Sequence, residues 1–223
     1  MLPFVVPWAR RRKVEWLMDQ YAEALAEHPN AKMSFVGHSN GTYLLARALD
    51  DYPFLRFKNV VLAGSVVRSD YDWVSKKKNG QIENVLNFVA TFDWVVAVFP
   101  KAIEILNLQD LGGGGHDGFD KIKDEVKYIS GRHDAALAEE NWDSIAEFIL
   151  KGEKPRIPPN LLAKTRSWFF VSLAKIAPLL WLLAIAIVVL IGKAVWSISA
   201  NETVSTLLVV AYILIIWSVI TRL

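Results

Sequence analysis

From Val14 to Glu27 the apolar positions Val14, Leu17, Met18, Tyr21 and Leu25 recur at helical spacing, and His28-Pro29-Asn30 stops the run. Met33 to Val36 is a short apolar strand. Thr42 to Leu49 reads as a helix closed ahead of Tyr52-Pro53. Asn59 to Ala63 and Val85 to Thr91 read as buried strands, apolar on both faces as strands of a parallel sheet are. A helical turn is expected near Trp73, and Trp94 to Leu106 is helical with Pro100 kinking it. Val126 to Ser130 is a further strand and Trp142 to Leu150 a further helix. Strands that alternate with helices predict an α/β fold built on a parallel sheet.

The pattern then changes. Lys151 to Arg166 is basic and holds Pro155, Pro158 and Pro159, the composition of a linker. Two apolar segments follow, about 176–196 and 204–220, each near the roughly 20 residues that cross a bilayer as a helix. Neither carries a polar face, so membrane spans are expected rather than buried core helices. Trp168, Trp181, Trp196 and Trp217 lie mostly near their ends, as interfacial tryptophans do. Ser199-Ala200-Asn201-Glu202 is a polar turn, which makes the pair a hairpin. Lys151, Lys154, Arg156, Lys164 and Arg166 precede the first span and Arg222 follows the second, whereas the turn has only Lys193 nearby. The positive-inside rule then predicts a cytoplasmic globular domain and C-terminus, with Lys175 snorkelling at the boundary. The expected organisation is a domain over 1–150, a linker over 151–167 and a membrane hairpin over 168–223.

Composition supports this division. The chain is 53% hydrophobic, above the roughly 45–50% of globular proteins, and the excess lies after about residue 168. The net charge of +2 gives no argument for nucleic acid, and none is expected as a partner. Zero cysteines exclude disulfides and thiolate metal sites, and the four histidines show no ligand spacing, so no metal is expected. Met1 to Trp8 is apolar but precedes the basic run Arg10 to Lys13, the reverse of a signal peptide, and no cleaved export signal is expected.

The chemistry centres on Gly37-His38-Ser39-Asn40-Gly41, which stands between an apolar strand and a helix. Glycines two residues either side of a serine permit a sharp strand-to-helix turn, where larger side chains would meet neighbouring backbone. Such a turn exposes the Ser39 hydroxyl at a helix N-terminus. The Asn40 backbone N–H and the helix dipole would stabilise an oxyanion there. Serine needs a base, and the base needs an orienting acid. Asp93 directly follows the strand Val85 to Thr91 and is the expected acid, with a possible second role as helix N-cap. Asp70 and Asp72 are held in reserve. His133 follows the strand Val126 to Ser130 and is the expected base, with His116, in the loop Gly112 to Gly118, as its rival. That loop is expected to be a flexible connection or part of the site's rim; no P-loop lysine follows it. His28 is expected at a helix end, and His38 is expected to shape the pocket rather than move protons.

Taken together, Ser39, Asp93 and His133 in that order around such a turn resemble the α/β-hydrolase superfamily, in its lipase- and esterase-like branches. The resemblance covers about residues 14 to 150. It implies a serine hydrolase that attacks a carboxylic ester or thioester without a cofactor, and membrane anchoring suggests an ester or lipid-like substrate. One departure stands out. The family's sheet has strands before this turn, and a loop after one of them gives the second oxyanion donor. Met1 to Lys13 contains no such strand and loop, so a fragment of a longer protein is expected. The alternatives are a second chain that completes the sheet, a crippled oxyanion hole, or a hydrolase fold retained as a membrane scaffold. The basic runs Arg10 to Lys13 and Lys76 to Lys78 suggest either a solvated face or a contact with anionic lipid.

Overall fold

The computed structural model describes residues 7–122 and 125–222. The chain divides into two compact units, Lys13–Pro178 and Leu179–Leu223 with the N-terminal stretch to Arg12. In chain order the elements are α1 (Pro7–Glu27), β1 (Phe35–His38), α2 (Asn40–Asp51), β2 (Phe57–Ala63), α3 (Trp73–Lys78), β3 (Ile82–Ala90), α4 (Trp94–Ile105), a one-turn α5 (Gly114–Asp117), β4 (Glu125–Ile129), α6 (Trp142–Lys151), α7 (Trp168–Lys175), α8 (Ala177–Trp196) and α9 (Glu202–Arg222). The helix expected from Val14 starts earlier, at Pro7. Proline suits a first helical position, and the following Arg10 to Lys13 are good helix formers.

Four strands make one parallel sheet in the order β1-β2-β3-β4. The α/β class and the parallel sheet expected from the alternating elements are both present. Side chains alternate between the two faces of the sheet because successive Cβ atoms point to opposite sides. Val60, Leu62 and Val85 join Leu45, Leu49 and Trp73 in one core, against which Leu17, Met18 and Tyr21 of α1 pack. Val61, Ala63, Leu86, Phe88 and Ala90 join Ile145 and Phe148 of α6 in the other. Both faces of the central parts of β2 and β3 are therefore dry, which explains why these strands read as apolar on both faces.

The sheet's far edge corrects an expectation. The segment expected as a linker runs along β4. The Ser130 N–H donates to Leu161 O at 2.7 Å and the Ala163 N–H to Tyr128 O at 2.9 Å, with Leu162 bridging Ile129 in antiparallel fashion. Prolines are compatible with this because an edge strand leaves half its N–H groups unused. Helix α7, which the sequence pattern did not separate from the apolar run after it, packs on α4, and Phe170 meets Phe92 at 6.1 Å between ring centroids.

In the second unit, α8 is long and apolar enough to cross a membrane, and none of its most apolar window is buried by the rest of the molecule. Its hydrophobic surface is therefore not used in an internal core. From α9, the Tyr212 hydroxyl donates to Val188 O of α8 at 2.9 Å. Asn201 caps α9, its Oδ1 accepting the N–H groups of Thr203 at 2.9 Å and Val204 at 3.3 Å.

Candidate active site

Strand β1 delivers Ser39 to the N-terminus of α2. Ser39 has φ 50° and ψ −119°, and Asn107 is the other described non-glycine residue with positive φ. That conformation costs an L-residue about 1–3 kcal/mol, so the surroundings must hold it. They do: the Ser39 N–H donates to Ala63 O at 2.9 Å, and Ser39 O accepts from the Thr42 N–H at 3.0 Å and the Thr42 hydroxyl at 2.7 Å. Asn40 and Gly41 open the helix, where N–H groups lack intrahelical acceptors and the dipole is positive.

The two elbow glycines differ. A Cβ on Gly37 would stand 2.7 Å from Phe35 Cε1 and 3.2 Å from Thr42 N, so this position is closed to side chains. A Cβ on Gly41 would meet nothing within 4 Å. The collision expected at Gly41 is absent, because β1 is the edge strand of the described sheet and space lies open beside it.

Asp93 and His133 come together from the ends of β3 and β4. His133 Nδ1 lies 3.0 Å from both Asp93 Oδ1 and Oδ2. Asp93 is fully buried and also caps α4, Oδ1 accepting the Val96 N–H at 3.0 Å. Asp93 therefore meets the His133 imidazole and caps the helix at once. With Nδ1–H on the carboxylate, His133 Nε2 carries the free lone pair. That atom is buried without a hydrogen-bond partner, so the Ser39 hydroxyl does not bond to it here. In unliganded enzymes such bonds are often long and tighten when substrate binds.

Two neighbours fix the imidazole. Gly64, at φ +52°, passes so close that a Cβ would stand 2.7 Å from His133 Cε1 and 2.8 Å from its carbonyl oxygen. Because Ala63 accepts the Ser39 N–H, consecutive residues of the β2 exit touch Ser39 and His133. His38 lies against His133, with ring centroids 4.7 Å apart, and its Nε2–H donates to His133 O at 3.2 Å. Burial, and then the neighbouring His133, lower the His38 pKa, which favours the neutral ring this hydrogen bond uses. Gly64 escaped the sequence reading; its one signal is a glycine directly after a buried strand.

The remaining candidates lie elsewhere. Asp72 is exposed and caps α3, accepting the Ser75 N–H at 3.1 Å and the Ser75 hydroxyl at 2.6 Å, bonds that hold its carboxyl below the usual range. Asp70 pairs with Arg68 at 2.9 Å, which likewise lowers it. Lys76, from the second basic run, is tied to Asp50 at 2.7 Å and Leu49 O at 3.0 Å. His116 is buried beside Asp117, Nδ1 to Oδ1 3.0 Å, and Asp117 also binds Lys101 at 2.7 Å and Arg166 at 2.8 Å. Burial pushes the Asp117 carboxyl up, but its bonds to His116, Lys101 and Arg166 outweigh this and hold it well below the usual carboxylate range.

The glycine loop is not a loose connection. Gly112, Gly114 and Gly115 donate to Val66 O, Val67 O and Ser65 O at 2.8, 2.8 and 2.7 Å. A Cβ on Gly115 would stand 2.3 Å from Ser65 N, and one on Gly112 would stand 2.5 Å from Arg68 Cα. The glycines exist for this close backbone approach, which braces the β2 exit that seats His133.

Among the described residues no group of three or more His, Asp or Glu side chains is placed to hold a metal ion. No known protein family matches the chain, and no curated protein or solved structure matches it either.

Proposed function

We propose that this chain is a membrane-anchored serine hydrolase of the α/β-hydrolase type that cleaves a carboxylic ester or thioester. One observation carries the reading. A serine held at positive φ on a strand-to-helix turn lies against the same β2 exit as a histidine whose Nδ1 is fixed by a buried aspartate. The Ser39 hydroxyl attacks the carbonyl carbon and passes its proton to His133 Nε2. The Asn40 N–H receives the oxyanion. His133 returns the proton to the leaving group, the acyl-Ser39 ester is hydrolysed by water, and Asp93 holds the tautomer throughout. A second oxyanion donor would enter through the space beside Gly41 and the β1 edge. The anchor is the α8–α9 hairpin, both helices spanning the bilayer, with the sheet-bearing domain on the cytoplasmic side as the basic residues before α8 favour. Labelling with a fluorophosphonate tests the reading: wild type is modified and Ser39→Ala is not. Equal labelling of the two sinks it.

A non-catalytic scaffold is the second reading. It is favoured by the unpartnered Nε2 of His133 and by the edge position of β1. Absence of turnover on any short-chain ester, with specific capture of a partner by the full chain, would support it.

A further inference from the structure

An exposed run of aromatic rings begins beside the candidate acid. Phe92 and Trp94, on either side of Asp93, are 44% and 53% exposed, and Trp168 and Phe169 of α7 are 79% and 52% exposed. The rings are continuous: Phe92 to Phe170 is 6.1 Å, Phe170 to Phe169 5.3 Å and Phe169 to Trp168 6.3 Å. We infer that this rim is a membrane-docking surface that sets the Asp93–His133 side of the domain on the lipid interface, so that the substrate is an ester-bearing amphiphile whose acyl chain stays in the bilayer. The substrate class rests on the hydrolase reading; the docking surface does not.

Chain continuity identifies lipid as the occupant. Only Ile176 separates α7 from α8, the helix apolar enough to span. At about 1.5 Å of rise per residue, Trp168 is no more than about 14 Å from the start of α8. The headgroup layer is roughly 5–8 Å deep on each side of the hydrocarbon, so the last turn of α7 lies within it, and a tilt of α7 away from the bilayer normal brings Trp168 to the same depth. Its residue types suit that depth, with Trp and Phe exposed and Lys175 at its last turn to meet phosphate. Phe92, touching Phe170, lies beside the same surface.

The absence of native cysteines allows a clean test on the full chain. Trp168→Cys and, as control, Glu83→Cys at the opposite end of β3 carry a polarity-sensitive dye in phosphatidylcholine vesicles. Emission at position 168 should shift to the blue and be quenched at least threefold more by spin-labelled lipid than at position 83. Equal quenching at the two sites overturns the docking surface. For the substrate class, Trp168→Ser/Phe169→Ser should lower the ratio of activity on a vesicle-borne long-chain ester to activity on a soluble short-chain ester at least tenfold. An unchanged ratio overturns that part. A wild type that cleaves neither ester defeats the hydrolase reading, and the substrate class with it, while the dye measurement still decides the docking surface.

Discussion

The molecule contains two histidine–aspartate pairs that look alike in isolation. His133–Asp93 and His116–Asp117 both place Nδ1 3.0 Å from a carboxylate, and both leave Nε2 buried and unpartnered. Their surroundings separate them. Asp93 receives N–H groups from His133 and Val96, and a protonated His133 would balance its charge. Asp117 is already balanced by Lys101 and Arg166. A base that carries a proton for part of its cycle needs a carboxylate with charge to spare. The comparison teaches that distance to a carboxylate does not single out a candidate base; the charge already committed to that carboxylate separates the two pairs.

The largest effects should fall on the first pair. Asp93→Asn should lower kcat by about 10⁴-fold by favouring the wrong tautomer, measured on any ester the wild type cleaves. His133→Ala should be at least as severe, while His116→Ala leaves fluorophosphonate labelling of Ser39 in place. Labelling lost with His116 and kept without His133 would invert the comparison. Next comes Gly64→Ala, whose Cβ would displace the imidazole; a shift of about 1 Å costs about 100-fold in kcat. Gly41→Ala, facing open space, should change kcat far less.

The second pair should answer in stability. Asp117→Asn leaves Lys101 and Arg166 short of a partner. Breaking a buried pair costs about 3–5 kcal/mol, and with the Asp117 side chain 28% exposed we expect about 2 kcal/mol, read by denaturant unfolding. The smallest effect is its pH dependence. The folded Asp117 carboxyl is depressed, so its stabilisation is complete above the unfolded value near about 4 and is lost as pH falls through the folded value. Acid unfolding of Asp117→Asn should lack that component; identical acid limbs would show that the cations do not act through this carboxylate.

Much of this was legible in the sequence because it is local. Apolar runs marked β2 and β3, and the order Ser39, Asp93, His133 followed from which residues leave the strand ends. What was hidden depends on long-range approach. Gly112 to Gly115 read as a flexible tract because composition cannot show that Ser65 to Val67 lies against it. Gly64 was silent because its meaning is set by His133, far away in sequence. The β4 edge pairing of Leu161 to Ala163 hid behind prolines, and α7 hid because its aromatic residues merge with the apolar run that follows.

The backbone of Ser39 bears on the choice between hydrolase and scaffold. At φ 50° a glycine would sit without penalty, so Ser39→Gly relaxes the turn. In a protein with no chemistry at this point, glycine could replace the serine and leave a sturdier fold. Ser39 thus trades robustness of the turn for a hydroxyl at a helix N-terminus, and comparing the stability of Ser39→Gly with wild type measures the size of that trade.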